Sequence, residues 1–231
     1  TGFFTTLPGI HPTTPLAFPA STTLRGVAME STLTFTVSAG PPAVTLALAG
    51  DAAVKGVDGA TTLRRQIVDI DKCNTCHERV GFHGSAGRAN NPDHCVMCHN
   101  TEMSSSNIYA GMFNGFEVSQ KPNNFKDMLH AIHGAGVRTV PFNFIRGSSA
   151  ATSGGQGLHA FEEVGFPARL ADCAACHRPG TFGILNNDRY GWSVVDAQSA
   201  LGSAGTFNPA LSMRMGPNTG ACGGCHDDWL G

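Results

Sequence analysis

The sequence predicts a mostly irregular chain of short helices arranged around a core that side chains alone do not supply, with a small β element near its N-terminus. Three observations lead there. Only 14% of the 231 residues are charged, glycine contributes 29 and proline 13, and no stretch beyond about a dozen residues keeps a strong helical period. All eight cysteines fall into four copies of one five-residue motif between residues 73 and 226. Alternation of apolar and polar residues, the mark of a half-buried strand, is confined to the first third of the chain.

Taken in order, residues 1–23 form an extended arm. Pro8, Pro12, Pro15 and Pro19 are too closely spaced for a helix or a central strand, and the arm has no core of its own. Residues 24–70 make a small β region. Leu33, Phe35 and Val37 alternate, Pro41-Pro42 turns the chain, and Val44, Leu46 and Leu48 alternate again, which predicts a β-hairpin. A third strand is expected from Leu63 to Val68. Residues 71–231 carry the four motifs on short helices joined by Gly- and Asn-rich loops. Outside the motifs one helix is well signalled, from Asn124 as N-cap through Asp127 in the first turn to Gly134 as the stop.

The motifs are Cys73-Asn74-Thr75-Cys76-His77, Cys95-Val96-Met97-Cys98-His99, Cys173-Ala174-Ala175-Cys176-His177 and Cys222-Gly223-Gly224-Cys225-His226. Cys-x-x-Cys-His is the attachment signature of c-type haem: two thiols on one helical turn bond the same porphyrin edge, and the adjacent histidine reaches the iron. A zinc ribbon is the nearest rival, because 18 residues separate Cys76 from Cys95. Four thiolates would leave no use for a histidine after every second cysteine. Four disulfides within the Cys-x-x-Cys pairs are the other alternative, one that a redox protein shows once rather than four times. The fold class is therefore a multihaem cytochrome c with four haem c groups filling the core.

Each iron needs a sixth ligand, and His11, His83, His94, His130, His133 and His159 remain after the four motif histidines. A second imidazole closes the iron to substrate and suits electron transfer, whereas a missing one would open a catalytic site. His130 and His133 lie three apart on the signalled helix, on neighbouring positions of one face, so they can serve two different irons that pack against each other. His94 precedes Cys95 directly and reads as a propionate or surface contact. Met112 and Met128 sit among Phe and Leu and read as packing.

These residues resemble the OmcA/MtrC type of outer-surface multihaem cytochromes. The resemblance covers roughly residues 62 to 228 and rests on Leu63 to Asp69, Phe82-His83-Gly84, Cys95 to Asn100, Met128 to His133, His159 before Phe166-Pro167, and Cys173 to His177 followed by Pro179-Gly180-Thr181-Phe182. It implies His83, His130, His133 and His159 as distal ligands, covalent attachment outside the cytoplasm, and electron traffic with redox-partner cytochromes or extracellular acceptors. The chain is also similar to tetrahaem extracellular cytochromes that polymerise into nanowires. On that likeness the arm crosses to a neighbouring copy, where His11 ligates a haem or packs beside one; such a head-to-tail contact repeats into a filament. A monomeric periplasmic shuttle and a multihaem reductase with an open iron are the competing readings.

Other classes find little support. A formal net charge of −2 gives no electrostatic reason to expect nucleic acid, and no apolar run approaches the roughly 20 residues that span a bilayer. The sequence opens at Thr1 with no basic or apolar leader, which predicts an exported chain whose signal has been removed. Gly154-Gly155-Gln156-Gly157 lacks the lysine and the strand-to-helix setting of a phosphate loop, and no catalytic triad or carboxylate pair stands out, so the expected role is electron carriage rather than catalysis.

Overall fold

A computed structural model describes residues 26–29, 32–38, 44–49, 51–56, 65–82, 88–101, 103–105, 111–145, 157–184, 191–195 and 212–227. The arm with His11, and His83, lie outside the described residues.

Four strands lead the chain: β1 (Gly26–Met29), β2 (Thr32–Ser38), β3 (Val44–Ala49) and β4 (Ala53–Gly56). β2 and β3 pair antiparallel in the expected hairpin, with Leu33 opposite Leu48 and Phe35 opposite Leu46. The register shifts between Thr36 and Ser38, so Val37 falls at the irregularity and Ser38 stands opposite Val44. β1 and β4 form a second antiparallel pair that the alternation did not signal.

The strand expected from Leu63 to Val68 is absent where that segment is described. Only Val68 bridges, and its partner is His177 of the third motif. The bridge is made by Arg178 N–H donating to the Ile67 carbonyl at 2.9 Å and Asp69 N–H donating to the Cys176 carbonyl at 2.9 Å. The segment is spent on joining the first motif to the third.

Helix α1 (Ile70–His77) starts at Asp69, whose carboxylate accepts from Asp71 N–H at 3.2 Å. The short pair β5 (Gly81–Phe82) and β6 (Arg88–Ala89) leads to α2 (Pro92–Cys98), capped by Asn91 with Pro92 in the first turn. β7 (Gly111–Phe113) and β8 (Phe116–Val118) form a hairpin around Asn114-Gly115, both at positive φ, 49° and 86°. Asn-Gly is the residue pair such a two-residue turn favours. α3 (Phe125–His133) follows the expected limits: Asn124 accepts from Asp127 N–H at 3.2 Å, and Gly134 closes the helix on the His130 carbonyl. β9 (Phe144–Ile145) pairs with β10 (Leu158–His159), β11 (Ser193–Val195) with β12 (Met213–Met215), and α4 (Pro217–Cys222) carries the last motif.

The described apolar core is small and divided. Val118 and Ile145 pack with Phe116 and Leu158; Ala131, Phe142 and Phe144 pack with Met128, Ile132 and Phe161. Met128 thus has the packing role read from the sequence. Met112 does not: it is 63% exposed, because it lies on a two-stranded hairpin. Helices α1 and α2 bury none of their residues.

Lys121 is buried beside this core, with its N–H donating to Ser105 Oγ at 2.7 Å. Burial first, and then the nearby Arg138 charge, lower its pKa to about 8. Between this value and the ordinary lysine range the unfolded chain binds more protons than the folded one, so stability rises with pH across that window. We expect Lys121→Met to raise the unfolding free energy at neutral pH by on the order of 1–3 kcal/mol, read from urea titration, and to flatten the rise.

Candidate haem-binding site

The four motifs are drawn together by α3. At its N-terminus, Phe125 N–H donates to the His99 carbonyl at 2.9 Å, and His99 Nδ1 meets the Asn123 carbonyl at 2.8 Å. The carbonyl can only accept, so Nδ1 carries the proton in that second contact. At the C-terminus of α3 the fourth motif leans on the helix so closely that a Cβ on Gly224 would lie 3.0 Å from the His130 carbonyl carbon and 3.1 Å from Ala131 N.

The last turn of α3 also faces the other two motifs. The His133 ring lies 5.9 Å from the His77 ring at an interplanar angle of 86°, and the His130 ring lies 6.0 Å from the His177 ring at 6°. Two imidazoles bonded at about 2 Å to opposite sides of one ion have centroids roughly 6 Å apart, so both pairs are spaced to hold an iron between them. His133 Nδ1–H donates to the Leu129 carbonyl at 2.8 Å, leaving Nε2 for metal. Burial, and then His177, hold His130 below the ordinary histidine range, with Asp127 opposing; burial also lowers His177, opposed by Thr181. Both rings are therefore kept in the neutral form that a metal ligand requires.

The sulfurs follow the same plan. All eight cysteines are free, and Cys76, Cys173 and Cys222 are exposed. Cys73 Sγ donates to the Asp69 carbonyl at 3.4 Å, and interaction with the Cys176 side chain pushes the Cys73 thiol up and the Cys176 thiol down. Lys72 Nζ joins the first and third motifs by donating to the Ala174 and His177 carbonyls at 2.9 and 2.7 Å. Cys225 is pushed up mainly by burial, with Arg138 opposing. Among the described residues, no three Cys, His, Asp or Glu side chains converge as a single ion site of the zinc-ribbon kind.

His159 sits on β10 and is exposed, its ring lying on Phe144 at 4.9 Å. His94 is half-buried on α2 and His226 is exposed after α4. Supporting residues were less visible in the sequence. Asp227, directly after the fourth motif, accepts from Thr139 N–H at 3.0 Å and Val140 N–H at 2.6 Å and pairs with Arg138 at 3.5 Å. Its position beside a motif was the one available signal. Ser193 had none, yet its hydroxyl donates to Asp127 Oδ2 at 2.5 Å and accepts from Asn124 Nδ2 at 2.9 Å beneath the start of α3. Asp127→Ala strips this buried hydroxyl and Lys126 of their shared acceptor. It should cost about 1.5–3 kcal/mol by urea titration.

Four Cys-x-x-Cys-His motifs gathered on one helix, with paired imidazoles at metal-bridging distance, define a c-type cytochrome. The chain belongs to the family described as outer membrane cytochrome MtrC/MtrF-like, domains II/IV, whose model matches residues 65–230. Membership makes it an electron-transfer protein that carries haem c, in a family assigned to the outer membrane. No curated protein and no solved structure matches it. Among the described residues no helix is long and apolar enough to cross a membrane.

Proposed function

We propose that the protein conducts electrons outside the cell through four covalently attached, closely packed haems, each held between two histidines, as a subunit of a polymeric cytochrome filament. The observation that carries this reading is the pair of facing imidazoles, His133 with His77 and His130 with His177, offered three residues apart on one helix. A bis-histidine haem supplies a one-electron couple of low potential with both faces of its iron closed to substrate.

The chain's own residues do the rest. Cys73, Cys76, Cys95, Cys98, Cys173, Cys176, Cys222 and Cys225 fix the porphyrin edges. His77, His99, His177 and His226 bind from one side, and His83, His130, His133 and His159 from the other. Lys72, bonded to the Ala174 and His177 carbonyls, and the bridge of Val68 to His177 hold the first and third motifs together, which would keep their porphyrins near each other as tunnelling over short gaps requires. His11, on the extended arm, acts in a neighbouring copy, either as a ligand or packed against a haem. Redox-partner cytochromes or extracellular acceptors take the electrons.

Intact-mass measurement and a pyridine haemochrome assay should give four haems per chain, all low-spin in the oxidised protein. Fewer haems, or a high-spin fraction that binds nitrite, would favour an open-iron reductase. Negative-stain microscopy should show filaments that His11→Ala disrupts; monodisperse particles with an unchanged haem spectrum in that variant would leave a monomeric shuttle.

A further inference from the structure

The two ring pairs on α3 have the same spacing and opposite geometry. We infer that the α3 histidines build two electronically different haem sites: His130 and His177 hold one iron with parallel imidazole planes, and His133 and His77 hold another with perpendicular planes. Phe166 positions the His133 ring. The inference rests on the bis-histidine reading above and adds to it which distal histidine serves which motif.

The planes are set by neighbours. His133 is fixed by its Nδ1–H bond to the Leu129 carbonyl and by Phe166, whose ring stands at 90° to it with centroids 5.6 Å apart. His77 meets Phe82 edge-on at 6.5 Å. His177 meets Phe182 at 5.8 Å and 70°, and its Nδ1 lies 3.5 Å from Thr181 Oγ1, whose own proton is directed to backbone carbonyls of Ile67 and Arg178. His130 is packed at its root by the fourth motif, where Gly224 approaches its Cβ. Such outer contacts decide the orientation of a ligating imidazole and so the electronics of its metal.

Ring orientation has a direct electronic consequence. Each imidazole donates π density into the iron d orbital that lies perpendicular to its plane. Parallel rings both raise the same orbital, which separates the two upper levels and gives a rhombic low-spin signal. Perpendicular rings raise one orbital each. The levels then stay nearly equal, and the signal becomes strongly anisotropic with a large highest g value.

Electron paramagnetic resonance of the oxidised full-length protein tests this, with haem content measured on the same samples. The wild type should contain both kinds of signal. The difference spectrum against His130→Met should show loss of a rhombic component, and that against His133→Met loss of a large-g component. Equal shapes in the two difference spectra, or the reverse assignment, would overturn the inference. Phe166→Leu, which keeps every ligand, provides the check if a ligand variant fails to assemble. Its large-g component should shift toward the rhombic form at unchanged haem content, and an unshifted signal counts against the inference. Loss of all haem from the wild-type assay would instead sink the bis-histidine reading itself.

Discussion

Asp227→Ala should destabilise the protein by about 3–5 kcal/mol, the cost of breaking a buried ion pair by removing one partner. The Asp227 and Arg138 side chains are only 4% and 7% exposed, so water cannot replace what is lost. Arg138 also donates to the Gly223 and Gly224 carbonyls at 3.0 and 2.6 Å, and its guanidinium lies 5.7 Å from the Phe142 ring centroid. Asp227 meanwhile holds the turn after α3 through Thr139 and Val140. The pair is thus the clamp between the fourth motif and the end of the histidine-bearing helix. A lowered urea midpoint is the primary readout. Asp227→Asn, which retains one acceptor oxygen but no charge, should recover part of the loss; equal stability of wild type and the alanine variant would show that the clamp carries no net energy.

Gly224→Val should cost about 3 kcal/mol, at the upper end for overpacking, because the atoms it meets cannot move aside. They are the root of the His130 side chain and the backbone of His130 and Ala131, not the end of a flexible chain. Withdrawal of the fourth motif from α3 is the expected response, visible as a lower melting temperature and a drop in the haem count by mass spectrometry. Gly136→Ala is the matched comparison. Nothing lies within 4 Å of a Cβ there, and its effect should stay within about 0.5 kcal/mol. The other motifs carry Thr75, Met97 and Ala175 at the place of Gly224, so the need for glycine comes from the contact with α3 and not from the motif itself.

Local signals were read where the chemistry is local. The hairpin of β2 and β3 and the limits of α3 follow from alternation, an asparagine cap and a terminal glycine, all of which act within a few residues. Of the strand expected at Leu63 to Val68, the described residues keep only the bridge of Val68 to His177, a partner more than a hundred positions away that no local signal names. Asn114-Gly115 is a local turn signal and does form the turn, whereas the apolar neighbours of Met112 in sequence do not bury it, because its hairpin leaves it in solvent.

By itself the sequence determined that this protein has four Cys-x-x-Cys-His sites, that surplus histidines are available to them, and that two of these sit on one helix face, since each is a matter of residue identity and short spacing. Only the tertiary structure decided that His133 turns to the first motif and His130 to the third, that Lys72 ties those two motifs together, and that Arg138 and Asp227 fasten the fourth. Three residues of helix advance fix that two rings are neighbours. Which partner each ring meets depends on how segments distant in the chain compete for the same carbonyls and the same space, and spacing along the sequence does not encode that.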